Sequence, residues 1–229
     1  TAVMPGSFFT VTNMLALYTC LPIAFVAVVI MTMAYLTKRE DPSCKYFLFL
    51  CATIVLWNII QLLYISSTDI RISEIFFQLQ MVAIPFTVIA LLFYVLKFYG
   101  VDWFFKPQYM ILVCIIPVIT VILNLTNDYH HLFRIQFEVL QAEPAHIILN
   151  KRGPWFWVHT AYSYIVIIAA NVISYMQLKN LPKPYRLPFY MICLGCLSCL
   201  VFNLSTILFY FEGPIDNTLW GLTFGLFFL

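Results

Sequence analysis

Charge is absent from the stretches where a soluble chain would need it. Lysine, arginine, aspartate and glutamate sit in short clusters, and between them run uncharged segments such as 46–68, 75–96, 107–127 and 187–211. A helix rises about 1.5 Å per residue and the hydrocarbon core of a bilayer is about 30 Å thick, so roughly 20 such residues cross it. Breaks at charged and Pro/Gly clusters set apolar spans near 14–36, 46–66, 75–98, 108–125, 154–177, 188–211 and 218–229. With 63% hydrophobic and 10% charged residues in 229, no length is left for a soluble domain. The expectation is a single all-α domain over 1–229, an integral membrane bundle of seven helices.

No basic residue precedes Lys38, so the first span lacks the positive flank of a secretory signal peptide and is expected to stay in the protein. Thr1 is not an initiator methionine, and the segment 218–229 would rise only about 18 Å. The seventh helix therefore reads as cut short at Leu229, with further chain expected beyond it. Basic residues are retained in cytoplasmic loops. Loops one, three and five hold eight of them (Lys38, Arg39, Lys45, Lys97, Lys106, Lys179, Lys183, Arg186); Arg71 in loop two and Arg134, Lys151 and Arg152 in loop four make four on the other side. The expected orientation places the N-terminus outside, in a plasma (inner) membrane.

Ionisable groups inside a membrane mark proton paths, ion paths or catalysis. Here every carboxylate and every Lys or Arg maps to a loop or span end, leaving His159 as the candidate at depth besides Tyr and Cys. That composition argues against a proton pump, a carboxylate protease or a charge-moving transporter, and no GxSxG, HExxH or phosphate-binding glycine motif occurs. Cys193, Cys196 and Cys199 recur every three residues but read as packing thiols, and His130, His131 and His146 as wet loop residues; no metal and no cofactor is expected.

What remains is aromatic and uncharged polar. Trp57, Gln61 and Tyr64 share one face of span two, with Asn58 beside them, Gln78 and Gln80 open span three ahead of Pro85, and Trp155, His159 and Tyr162 share a face of span five. Asn203, Thr206 and Tyr210 do so in span six. Singly, such residues are most often hydrogen-bonding glue between helices. As a set, Trp57, Gln61, Gln78, Trp155, His159, Tyr162, Asn203 and Tyr210 are the candidate ligand-binding residues of one outward-facing cavity. The segment 126–153 is long for a loop, and the alternation Phe133, Ile135, Phe137, Val139 predicts a strand, hence a hairpin or lid over the bundle.

Two runs carry a resemblance: Thr126-Asn127-Asp128-Tyr129-His130-His131-Leu132-Phe133 at the end of span four, and Gly153-Pro154-Trp155-Phe156-Trp157-Val158-His159-Thr160-Ala161-Tyr162-Ser163-Tyr164 at the start of span five. Together with the seven spans and the long fourth loop, they resemble the seven-helix N-terminal sensor region of bacterial membrane histidine kinases, a module that also heads some diguanylate cyclases. The resemblance implies a non-enzymatic sensor or receptor, signal transduction through span seven to a cytoplasmic transmitter, and a dimeric histidine kinase of a two-component system as that transmitter, with a diguanylate cyclase as the second choice. The ligand expected from the residues is a small neutral or weakly anionic amphiphile, with no nucleic acid partner. The alternatives are a small-solute transporter or channel, which needs a polar path through the midplane that the apolar inner halves do not offer, and a ligand-free assembly subunit.

Overall fold

The computed structural model describes residues 11–67, 69–142, 145–178, 183, 186–208 and 218. In chain order its elements are α1 (Val11–Lys38), α2 (Cys44–Ser66), α3 (Ile70–Phe98), a 3₁₀ turn (Asp102–Phe105), α4 (Pro107–Leu125), the single turn α5 (Asn127–His130), strands β1 (Arg134–Ala142) and β2 (Ala145–Arg152), α6 (Pro154–Leu178) and α7 (Arg186–Leu208). Helices α1, α2, α3, α4 and α6 are each long and apolar enough to cross a membrane, and α7 contains the shorter apolar stretch Phe189–Ser205. This is a multi-pass membrane protein. Tyr210 and, apart from Thr218, the seventh span lie outside the described residues.

The helix ends follow local chemistry. Span three starts at Ile70 rather than near residue 75 because Asp69 caps it, its carboxylate accepting from the Arg71 and Ile72 amides at 2.8 and 3.2 Å. Arg71 and Glu74 therefore belong to the first turns of α3 and not to loop two. Pro107 opens α4, where a missing N–H costs nothing.

Packing follows from where each helix hides its apolar surface. In α3, 67% of the most apolar window is buried inside the protein, against 17% in α1 and in α4, so α3 is the central helix and α1 and α4 face outward. It packs against α2, α4 and α6, and α6 packs against α7. The outward surface carries Phe25, Leu36, Ile111, Leu112, Ile165 and Met176, all exposed. A soluble protein of this size does not expose a continuous apolar shell; a bilayer-facing one must.

At the end where α2 begins and α3 ends, Phe105 packs on Tyr46 and Phe93 with ring centroids 4.9 and 5.9 Å apart. Phe104 and Phe105 are thus partly buried packing residues, whereas Trp103 is exposed as a membrane-interface anchor would be. In the loop before α2, Asp41 accepts from both the amide and the hydroxyl of Ser43 at 2.7 Å.

The long loop is a two-stranded antiparallel hairpin, as the alternation predicts. Its register runs from Ala142↔Ala145 to Arg134↔Arg152, with an irregularity between Arg134 and Gln136.

Candidate functional site

The two sequence runs singled out above meet at the base of this hairpin. Asn127, one residue past α4's cap, is buried and turns its amide inward: Oδ1 accepts from the Phe133 and Arg134 amides at 3.0 and 2.9 Å, and Nδ2 donates to the Arg134 carbonyl at 3.0 Å. Three backbone groups that would be orphaned at a strand start are satisfied by one side chain. From the other side, the Gly153 amide donates to Phe133 O at 2.8 Å and the Trp155 amide to Leu132 O at 3.0 Å. Position 153 must be glycine, because a Cβ there would overlap the Leu132 carbonyl and stand 2.8 Å from the Phe133 carbonyl carbon.

His130 contributes its ring and His131 its backbone. Thr126 Oγ1 donates to Ile122 O at 2.8 Å, so it accepts from His130 Nε2 at 3.0 Å, and His130 Nδ1 accepts from the Leu132 amide at 3.0 Å. Both neighbours require a neutral imidazole with its proton on Nε2. His131 sits in the left-handed region at φ 52°, turning the chain from α5 toward β1. Asn127 and Gly153–Trp155, one from each of the two runs, thus form a clasp, and of the histidine pair it is His130 whose side chain bonds within it.

Two arginines lock the clasp to the bundle. Arg134 is 3% exposed, with its guanidinium 5.6 Å from the Phe77 ring centre on α3. Burial pulls its pKa below the ordinary value, and the carboxylates of Asp128 and Glu74 act in the opposite sense. Arg152, at the end of β2, covers Phe156 at 4.8 Å and donates to the Ile207 carbonyl of α7 at 3.4 Å.

Below the clasp, the polar face of α6 meets α4. Trp155 Nε1 donates to Thr120 Oγ1 at 3.0 Å, and Thr120 in turn donates to Ile116 O at 2.8 Å. Tyr162 donates to the Val113 carbonyl at 2.6 Å. That carbonyl is the one Pro117 leaves without its helical donor, since proline has no N–H to offer the residue four before it. Asn124 of α4 donates to the Gln78 carbonyl of α3 at 2.9 Å. Sequence reading missed Thr120 and Asn124; their signal was a spacing of four within an otherwise apolar span.

Span two contributes a second buried set. Trp57, Asn58 and Gln61 are all buried, at 2%, 0% and 1% exposed. Asn58 donates to Ile54 O at 2.9 Å and Asn171, in α6, to Ile167 O at 3.0 Å, so both amides bond within their own helix instead of across helices. The rings of Tyr64 and Phe77 meet at 5.7 Å, and three residues inward from each lie Gln61 and Gln80, which therefore stand level on α2 and α3.

Asn203 belongs to a third junction. Its Oδ1 accepts from Tyr164 of α6 at 2.9 Å, and its Nδ2 donates to Thr218 Oγ1 at 3.0 Å. Tyr164 is two residues from Tyr162, about 200° around the helix, so the two tyrosines reach in opposite directions, one to α4 and one to α7. Of the eight candidate residues, then, Trp155 and Tyr162 meet α4, Gln78 meets Asn124, Trp57 and Gln61 are packed in the core beside α3, and Asn203 stands with Tyr164. His159 is buried at 5% exposed on the α6 face between Trp155 and Tyr162. Tyr210 lies outside the described residues.

Comparison with protein families matches residues 5–229 to the family described as the N-terminal 7TM region of histidine kinase. Among curated proteins nothing matches the chain.

Proposed function

Since the chain belongs to the family of N-terminal seven-transmembrane regions of histidine kinases, we propose that it senses a small amphiphile in the outer half of its bundle and passes the signal through span seven to a cytoplasmic kinase. The N-terminus faces out, in a bacterial plasma membrane. The ligand is uncharged or weakly anionic. Its polar end is held by His159, Gln61 and Gln78, joined by Gln80 and Asn124, and its apolar body lies against Trp57, with Trp155 and Tyr162 framing the site from α6.

One observation carries this reading. Trp57 Nε1, Asn58 Oδ1, Gln80 Nε2, Asn124 Oδ1 and His159 Nδ1 are buried atoms on α2, α3, α4 and α6 with no hydrogen-bond partner among the described residues. Each such group costs on the order of 1–3 kcal/mol when it stays unsatisfied. Helix glue would pair these atoms with one another; a site for a molecule with its own donors and acceptors leaves them to the ligand.

The test uses decanoate and 1-decanol as weakly anionic and neutral probes on the chain in nanodiscs. Either probe should raise the melting temperature of the wild type, and the rise should vanish in His159→Phe while the probe-free melting temperature stays within a few degrees. Equal rises in wild type and His159→Phe would mean that the probes act through the bilayer alone, and the site would be wrong.

A further inference from the structure

We propose that Asn203 is a positioning residue rather than a ligand contact: it couples α6 to span seven through the bridge Tyr164–Asn203–Thr218. The inference rests on the sensor reading and assigns its output step to named groups.

The amide of Asn203 is engaged at both ends, Oδ1 by the Tyr164 hydroxyl and Nδ2 by the Thr218 hydroxyl. Both neighbours are hydroxyls, which donate and accept, so the bridge survives either orientation of the amide. Asn203 joins α6, α7 and Thr218, the residue at which the sequence predicts span seven to begin. Thr218 is itself buried, at 7% exposed.

One turn outward on α7, the Ile207 carbonyl accepts from Arg152 at the base of the hairpin. Successive turns of one helix face are stacked, so the hairpin's foot and the bridge to span seven are held by the same edge of α7. Across α6, Tyr162 pins the opposite side of that helix to α4. A rotation or tilt of α6, whose His159 lies between the two tyrosines' contacts and the outer rim, must therefore either break the Tyr164 bond or carry Asn203 and Thr218 with it. In the apolar interior a broken bond has no water to replace it, so the bundle gains by keeping the bridge and moving span seven.

Hydrogen exchange of the whole chain in nanodiscs, without any added ligand, tests the bridge separately from the binding site. Tyr164→Phe and Thr218→Val each remove one hydroxyl and no methylene packing. Each is expected to speed exchange of the amides of 218–222 by about threefold to tenfold, the range for one interhelical bond in a membrane, with 155–162 unchanged. Thr218→Ser should restore wild-type exchange. In the kinase-bearing full-length protein, Tyr164→Phe should shift basal autophosphorylation at least threefold and Thr218→Ser should not. Exchange at 218–222 within the error of wild type in both Tyr164→Phe and Thr218→Val overturns the coupling role. So does altered exchange with unaltered autophosphorylation, which makes the bridge a brace and no more. Neither outcome bears on whether decanoate or decanol binds at His159.

Discussion

Gly153→Ala should undock the hairpin from the bundle while leaving the helices in place. A methyl at 153 would overlap the carbonyl oxygen of Leu132 and lie 2.7 Å from its carbonyl carbon and 2.8 Å from that of Phe133. All three are backbone atoms, so no side chain can swing aside. Relief requires the start of α6 and the segment 132–133 to separate, and that separation stretches the two backbone bonds Gly153 N–Phe133 O and Trp155 N–Leu132 O. At about 1 kcal/mol each, with roughly 0.6 kcal/mol more if the Trp155–Thr120 bond follows, docking weakens by about 2–3 kcal/mol. Since about 1.4 kcal/mol is tenfold, amide exchange at Leu132 to Arg134 should accelerate about 30- to 150-fold in nanodiscs. Gly100→Ala is the control. Its φ is +69° and a methyl at that position would meet nothing within 4 Å, so the change should cost only about 1 kcal/mol of backbone strain, far from loop four and without effect on its exchange. Exchange at Leu132 to Arg134 within twofold of wild type in Gly153→Ala would refute the steric argument.

On orientation, a reporter fused after Leu36 or Leu181 should report the cytoplasm and a cysteine tag at 140–148 should label from outside on intact cells; labelling only after lysis would invert the bundle. On pH, the Ser43 hydroxyl and amide and, less strongly, Lys38 hold the Asp41 carboxyl below its ordinary value of 3.8. A depressed carboxylate stabilises the fold above its unfolded pKa and loses that contribution as pH falls through the folded one. The loop before α2 should therefore stay ordered down to about pH 4 and loosen below it, with Ser43→Ala shifting the Asp41 titration upward by carbon-13 NMR; an unmoved titration would remove Ser43 from the account.

How much of this was legible in the sequence differs by element. The first six spans were, because uncharged length is a local property, and so was the hairpin, whose alternation and flanking runs lie next to one another. Asn127 and Gly153-Pro154-Trp155 were legible as a pair but not in their action, since a glycine that exists to let a carbonyl pass looks like any turn glycine. Helical spacing placed Trp155, His159 and Tyr162 on one face, and the structure keeps them there. Spacing names a face without naming its neighbour, however. Tyr162 answers a carbonyl freed 49 positions earlier by Pro117, and Asn203 meets Tyr164 across 39. Span three begins earlier than its apolar run because Asp69, which reads as a loop acid, is a cap.

The Tyr162–Val113 bond also orders events during synthesis. Helix α4 reaches the membrane with the Val113 carbonyl stripped of its helical donor, and the hydroxyl that completes it is still 49 residues from being made. Until α6 arrives, α4 must keep that carbonyl near water or protein rather than lipid. The hairpin that separates the two helices sets the length of that wait, and the clasp at its base returns the chain with Tyr162 two turns below the point where α6 begins. Loop four is in this sense an assembly guide: it delivers the missing donor to the helix that was inserted without one.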